Sequence, residues 1–202
     1  LGGMLMSCKP TNPSSTGSSN TDSSTPVEPE AVNDLPPMTL KEEDWEIEGG
    51  SVKFENNEIK VEYGSTLWYK PYTASGPYAV QLTLKCEQKQ GDMRVGAKLE
   101  GGRDAASMLT FAVMDKENLM LVDSTRNVNM VNVKYNSLEE EVKLRVDVYP
   151  SSNTMIYYLN GKFAGELNLN AHDDPDLQGG RIALTTTGCR YTTFKDIYIG
   201  DI

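Results

Sequence analysis

The chain has 202 residues but a single histidine, three cysteines, two tryptophans and 19 basic residues against 29 acidic ones. Each shortage excludes something. One imidazole cannot build the usual multi-ligand zinc site, and it leaves a serine or cysteine nucleophile only one choice of base. A net charge of -10 excludes the basic stripe that a nucleic-acid partner requires, because releasing counterions from phosphates takes clustered Lys and Arg. An anionic membrane face is excluded on the same ground. No stretch reaches the ~20 apolar residues of a membrane-spanning helix, so any membrane attachment has to be a lipid.

What the chain does have is unevenly spread. Residues 9–37 hold six Ser, four Thr, six Pro, three Asn and one Gly, with only Val27, Ala31, Val32 and Leu35 clearly apolar. So little apolar surface cannot offset the entropy of ordering, and the composition predicts a flexible, partly extended tether. Its one Lys and four acids account for -3 of the charge, leaving -7 for the remainder. Ahead of it, Leu1 to Met6 are apolar or Gly, Ser7 is small and Cys8 follows. Leu5-Met6-Ser7-Cys8 resembles the lipobox of bacterial lipoproteins, which implies lipid attachment at Cys8, cleavage just before it and a place in the cell envelope, anchored in the outer membrane on its periplasmic or surface face. The expected organisation is a truncated signal over 1–8, a tether over 9–37 and one domain over 38–202.

Within that domain the dominant pattern is alternation of period two. Val142, Leu144, Val146 and Val148 alternate with Lys143, Arg145 and Asp147, as in a strand with one buried face. The pattern recurs at Val80 to Cys86, at Met93 to Leu99, and in shorter form at Phe111/Val113, Leu119/Leu121, Ile182/Leu184 and Ile197/Ile199. Turn residues fall between these runs. Asn160-Gly161 and Asn56-Asn57 suit two-residue hairpins whose central positions take positive φ. Ser137 and Glu140 have capping-box spacing, enough for one helical turn. About a dozen short strands without long helices predict an all-β fold, an antiparallel β-sandwich of the jelly-roll kind.

Asp44 to Gly50, Phe54 to Val61 and Leu67 to Leu84 read like the opening of concanavalin A-like lectin/glucanase domains, Val142 to Gly161 like their strand and hairpin, and Gly180 to Leu184 with Phe194 to Ile199 like their closing strands. The nearest branches are the 3-keto-disaccharide hydrolase-like and laminin G-like domains. The resemblance implies a jelly roll that binds carbohydrate on a concave sheet; the same superfamily also holds sugar-cleaving enzymes and structural or protein-interaction modules. Arg94 to Lys98 and Leu184 to Gly188 stand where the hydrolase branch carries other motifs, which weakens the transfer of its activity and leaves a sugar-cleaving enzyme as the alternative to a binding domain.

Candidate site residues follow from chemistry. Sugar rings stack on flat apolar side chains, and Trp68, Tyr69, Tyr72 and Tyr78 crowd into eleven residues. Either some of these face a ligand or they pack the core and its rim. Arg103, Asp104 and Arg126 are candidate hydroxyl contacts from loops. Glu42, Asp44 and Glu46 would share one side of a strand, the arrangement that paired-acid hydrolysis needs, although their position suits a solvated acidic edge. His172, Asp173, Asp174 and Asp176 offer oxygen ligands for structural calcium without EF-hand spacing, and Glu48 and Asp201 lie near the domain ends where relatives hold calcium; beyond that ion no cofactor is expected. Cys86 and Cys189 are either a disulfide permitted by an oxidising envelope or two buried thiols. An acidic domain suits a neutral glycan better than a sulfated or uronic one.

Overall fold

The computed structural model describes residues 31–100, 108–114, 118–123, 133–134, 140–168 and 180–202. Among them are twelve strands: β1 (Trp45–Glu48), β2 (Ser51–Glu55), β3 (Glu58–Glu62), β4 (Ser65–Ala74), β5 (Tyr78–Glu100), β6 (Met108–Met114), β7 (Asn118–Asp123), β8 (Val133–Lys134), β9 (Val142–Tyr149), β10 (Thr154–Leu159), β11 (Lys162–Asn168) and β12 (Gly180–Asp201). The described helical structure is two single 3-10 turns, Glu42–Asp44 and Pro150–Ser152. Every neighbouring pair runs antiparallel.

Two strands belong to both layers of the sandwich. The first layer has the order β1-β4-β12-β5-β6-β7-β8, and the second runs β2-β3-β12-β5-β9-β10-β11. Within β12, Gly180 to Thr186 pair with β4 and Tyr191 to Phe194 pair with β3. Within β5, Arg94 to Glu100 pair with β6, and Tyr78 to Leu84 pair with β9. Gln88 (φ 57°) in β5 and Gly188 (φ 70°) in β12 take left-handed conformations where the two strands pass between layers. Such residues make bulges, which bend a strand and raise its twist. Cys86 and Cys189 are joined by a disulfide at this crossing, with Cα atoms 5.9 Å apart.

The alternation predicts separate strands at Val80–Cys86 and Met93–Leu99, and again at Ile182–Leu184 and Ile197–Ile199, but each pair is one continuous strand. A bulge slips the parity of the pattern. Tyr78, Val80, Leu82, Leu84 and Cys86 face the core at even numbers and Leu99 at an odd one; Ile182, Leu184 and Phe194 give way to Ile197 and Ile199 past Asp196 (φ 50°).

The core lies between the layers. Leu67, Ile182 and Leu184 of the first meet Val80, Leu82, Val142 to Val148 and Tyr157 of the second. Both Asn hairpins form as their chemistry predicts, with φ of 53° and 58° at Asn56-Asn57 and 50° and 78° at Asn160-Gly161.

Residues 32–40, whose first part composition assigns to the tether, lie as a strap across the outer side of the second layer. Val32 N–H donates to Gly161 O (2.9 Å), Met38 N–H to Ile197 O (2.7 Å) and Leu40 N–H to Asn57 Oδ1 (2.8 Å). Side chains bind its middle: Arg145 donates to Asn33 O at 2.8 Å, Lys143 meets Asp34 at 2.6 Å, and Gln81 bonds the Leu35 backbone. The strap is held by its backbone, so its low apolar content does not prevent it from docking.

Candidate functional site

The strap leaves the outer side of the first layer as the broader candidate face, and Trp68 is its anchor. Leu67 and Tyr69 turn toward the core, so alternation sends Trp68 to the opposite side of β4. In register it stands between Glu46 on β1 and Ala183 on β12, and the row continues through Lys98 of β5, Thr110 of β6 and Val122 of β7. Arg181 shares the Ala183 side of β12. Its guanidinium carbon lies 4.9 Å from the Trp68 ring centroid, and its Nη1 meets Glu46 Oε2 at 2.5 Å. Trp68 is 4% exposed and its indole N–H has no hydrogen-bond partner, although Arg181 and Glu46 remain partly open. Stacking fixes the orientation of the guanidinium, and the Glu46 carboxylate beside it accepts from Nη1.

The other three aromatics of the cluster are placed elsewhere. Tyr78 is fully buried in the core, and its hydroxyl has no partner. Tyr72 packs against it at 6.3 Å and donates its hydroxyl to Asp201 Oδ1 at 2.7 Å. Burial, followed by the Asp201 carboxylate, raises the Tyr72 pKa; burial does the same to Tyr78. Tyr69 packs against Trp45 in a tilted pair with ring centroids 5.0 Å apart, and burial raises its pKa too. The structure therefore leaves Trp68 on the outer side of β4, packs Tyr69 and Tyr72 of the same strand against the core and buries Tyr78 at the start of β5, and does not bring the four together on one face.

Glu42 and Asp44 lie in a 3-10 turn while Glu46 lies in β1, so the three carboxylates do not line one side of a strand. That turn replaces the extended backbone which their spacing suggests, and Glu46 is engaged by Arg181. Glu48 pairs in register with Thr66 and Asp201 with Tyr78, at different places on the sheets. Among the described residues no group of three His, Cys, Asp or Glu side chains could hold a metal ion. Cys8, Arg103, Asp104, Arg126, the acidic run His172 to Asp176 and Ser137 lie outside the described residues.

Arg181 is the site residue that sequence reasoning missed. The signal was present, since Ile182 and Leu184 alternate inward and put Arg181 outward. Its partners Trp68 and Glu46 come from strands more than a hundred residues away in the chain, and only register joins them.

No protein-family profile matches the chain, and no curated protein sequence matches it. Solved structures do match. The cellulose-induced protein Cip1 superposes with a TM-score of 0.63 at 10% identity, over 81% of this chain and 94% of that one. Carbohydrate-binding module CBM66 from Bacillus subtilis gives 0.59 at 10% identity, over 78% and 96%. The fold is a concanavalin A-like jelly roll. The carbohydrate recognition domain of Emp46p in its potassium-bound form gives a TM-score of 0.54 at 12% identity, over 77% of this chain and 87% of that one. At such identities the likeness is one of backbone architecture.

Proposed function

We propose that this jelly roll binds carbohydrate on the outer side of its first layer, at the site where Arg181 lies over Trp68 and bonds Glu46. The carrying observation is that arrangement: an oriented guanidinium and a carboxylate meet beside a ring whose indole N–H has no partner. Sugar hydroxyls both donate and accept, and a guanidinium paired with a carboxylate at a partly open place presents both kinds of group to them. Two structures of the same architecture are named for carbohydrate binding or recognition, which supports the reading. Trp68 is nearly covered, so it serves as the platform under Arg181, and the open stacking surface that its sequence neighbourhood suggests is not its role. The acidic balance favours a neutral glycan.

We further propose that lipid on Cys8 and a Ser/Thr/Pro-rich tether hold the domain at the cell envelope, a reading supported by the lipobox-like Leu5-Met6-Ser7-Cys8. Metabolic labelling with a radiolabelled fatty acid tests the anchor: label should enter the full-length precursor expressed in bacteria and be lost in Cys8→Ala.

Binding is tested by a glycan array followed by calorimetry on the hits, with Arg181→Ala alongside. The variant should bind roughly tenfold or more weakly while keeping its circular dichroism and melting behaviour. An array without a hit, or a hit that Arg181→Ala binds as well as the wild type, overturns the proposal.

A further inference from the structure

Thr83 is 5% exposed and its hydroxyl has no hydrogen-bond partner. It lies on the outer side of the second layer, away from the core-facing Leu82 and Leu84, and two residues along β5 from Gln81, where the strap crosses. There it lines a depression of about 250 Å³ together with Glu58, Lys85, Glu141 and Lys195. A second depression, of about 310 Å³, is lined by Lys53, Glu62 and Tyr191. The two share Lys60, Glu87 and Thr193 and form one groove along β3, β12 and β5.

Register gives the groove a charge order. Lys53, Lys60, Thr193 and Lys85 follow one another across β2, β3, β12 and β5, and the neighbouring row is Ser51, Glu62, Tyr191 and Glu87. Lysines so placed repel unless carboxylates neutralise them. Glu55 meets Lys60 at 2.7 Å, Glu87 meets Lys85 at 2.8 Å and Glu141 meets Lys195 at 2.5 Å. Exposed pairs of this kind are weak, because water screens them and two long side chains must be held still, so a ligand can part them at small cost. Parting Lys195 from Glu141 would open the way to the Thr83 hydroxyl, since Lys195 stands opposite Thr83 in register.

The lining has four lysines against five glutamates, a balance that suits neither a polyanion nor a polycation. Groups that donate and accept in alternation suit hydroxyls, and the half-buried Tyr191 adds an aromatic surface at one end. We propose that this groove is a second saccharide site, on the layer opposite Trp68, and that it takes a short neutral oligosaccharide lying along β3 and β12.

The test is a titration of the full chain, labelled with nitrogen-15, with the neutral trisaccharides cellotriose, maltotriose and xylotriose at millimolar concentration and with a sulfated heparin fragment as the anionic control. Amide shifts at Lys60, Lys85 and Thr193 are expected with at least one neutral sugar. They should persist in Arg181→Ala, which separates this groove from the Trp68 face, and disappear in Thr193→Trp, which fills it. Lys60→Ala combined with Glu87→Ala provides a second loss variant should the Trp substitution disturb folding. Groove amides that no neutral sugar moves, that respond only to the sulfated fragment, or that fall silent in Arg181→Ala overturn the proposal.

Discussion

The side-chain carboxamide of Gln81 bonds both backbone groups of Leu35: its Oε1 accepts from the Leu35 N–H at 3.0 Å and its Nε2 donates to the Leu35 carbonyl at 3.0 Å. A residue of the central strand β5 thus pins the strap as a neighbouring strand would, and Gln81 is 1% exposed beneath it. Gln81→Ala removes both bonds and leaves the Leu35 groups to water or to nothing. The expected cost is about 1–3 kcal/mol. Limited proteolysis should then cut within residues 31–37 faster than in the wild type, and denaturant titration should show the loss.

Arg145 and Asp147 hold the strap from the next strand. Asp147 is 3% exposed and takes two bonds from the guanidinium, at 2.7 and 2.8 Å, while Arg145 reaches the Asn33 carbonyl. Removing one partner of a buried pair leaves a charge uncompensated, which costs about 3–5 kcal/mol. Asp147→Ala should therefore destabilise the domain by that order in chemical denaturation. Replacing both residues by apolar ones should cost less than the single change.

The disulfide spans a sequence separation of 103 residues. A loop of that length restricts the unfolded chain by about 4–5 kcal/mol in the entropy account. Cys86→Ala with Cys189→Ala should lower the melting temperature markedly, and a reductant should shift the wild type toward the variant without moving the variant itself.

Burial raises the tyrosine pKa values of Tyr72, Tyr78 and Tyr157. A group with a raised folded pKa contributes stability that is complete below the unfolded value, about 10 for tyrosine, and is lost as pH rises through the folded one. Stability should accordingly fall above about pH 10, before lysine deprotonation is complete. Tyr78→Phe deletes a buried hydroxyl that has no partner, so it should be neutral or stabilising by about 1 kcal/mol near pH 7 and should flatten the alkaline decline. Denaturation midpoints of the two proteins from pH 7 to 11.5 check both parts, and a Tyr78→Phe variant that loses stability at neutral pH would show that its hydroxyl has a partner.

The strand content, the Asn hairpins and the inward set of β9 were legible in the sequence because each rests on neighbours in the chain. Val142 to Val148 alternate whatever lies opposite, and Asn160-Gly161 takes positive φ for local steric reasons. The long strands β5 and β12 were not legible as single strands, since a left-handed residue slips parity and reads as an end. The aromatic run Trp68 to Tyr78 was visible as a cluster, but which side of β4 Trp68, Tyr69 and Tyr72 take depends on the bulge opposite Arg181 and Ile182, where the pairing shifts.

The sequence by itself determined an acidic, all-β domain behind a polar segment, because composition and period-two alternation are properties of the chain alone. Tertiary structure decided which distant residues became partners: Cys86 with Cys189, Arg181 with Trp68 and Glu46, Gln81 with the Leu35 backbone. The physical reason is register. Side chains meet across antiparallel strands only once pairing is set, and pairing here is set by burial of one face of each layer together with the bulges that carry β5 and β12 between them.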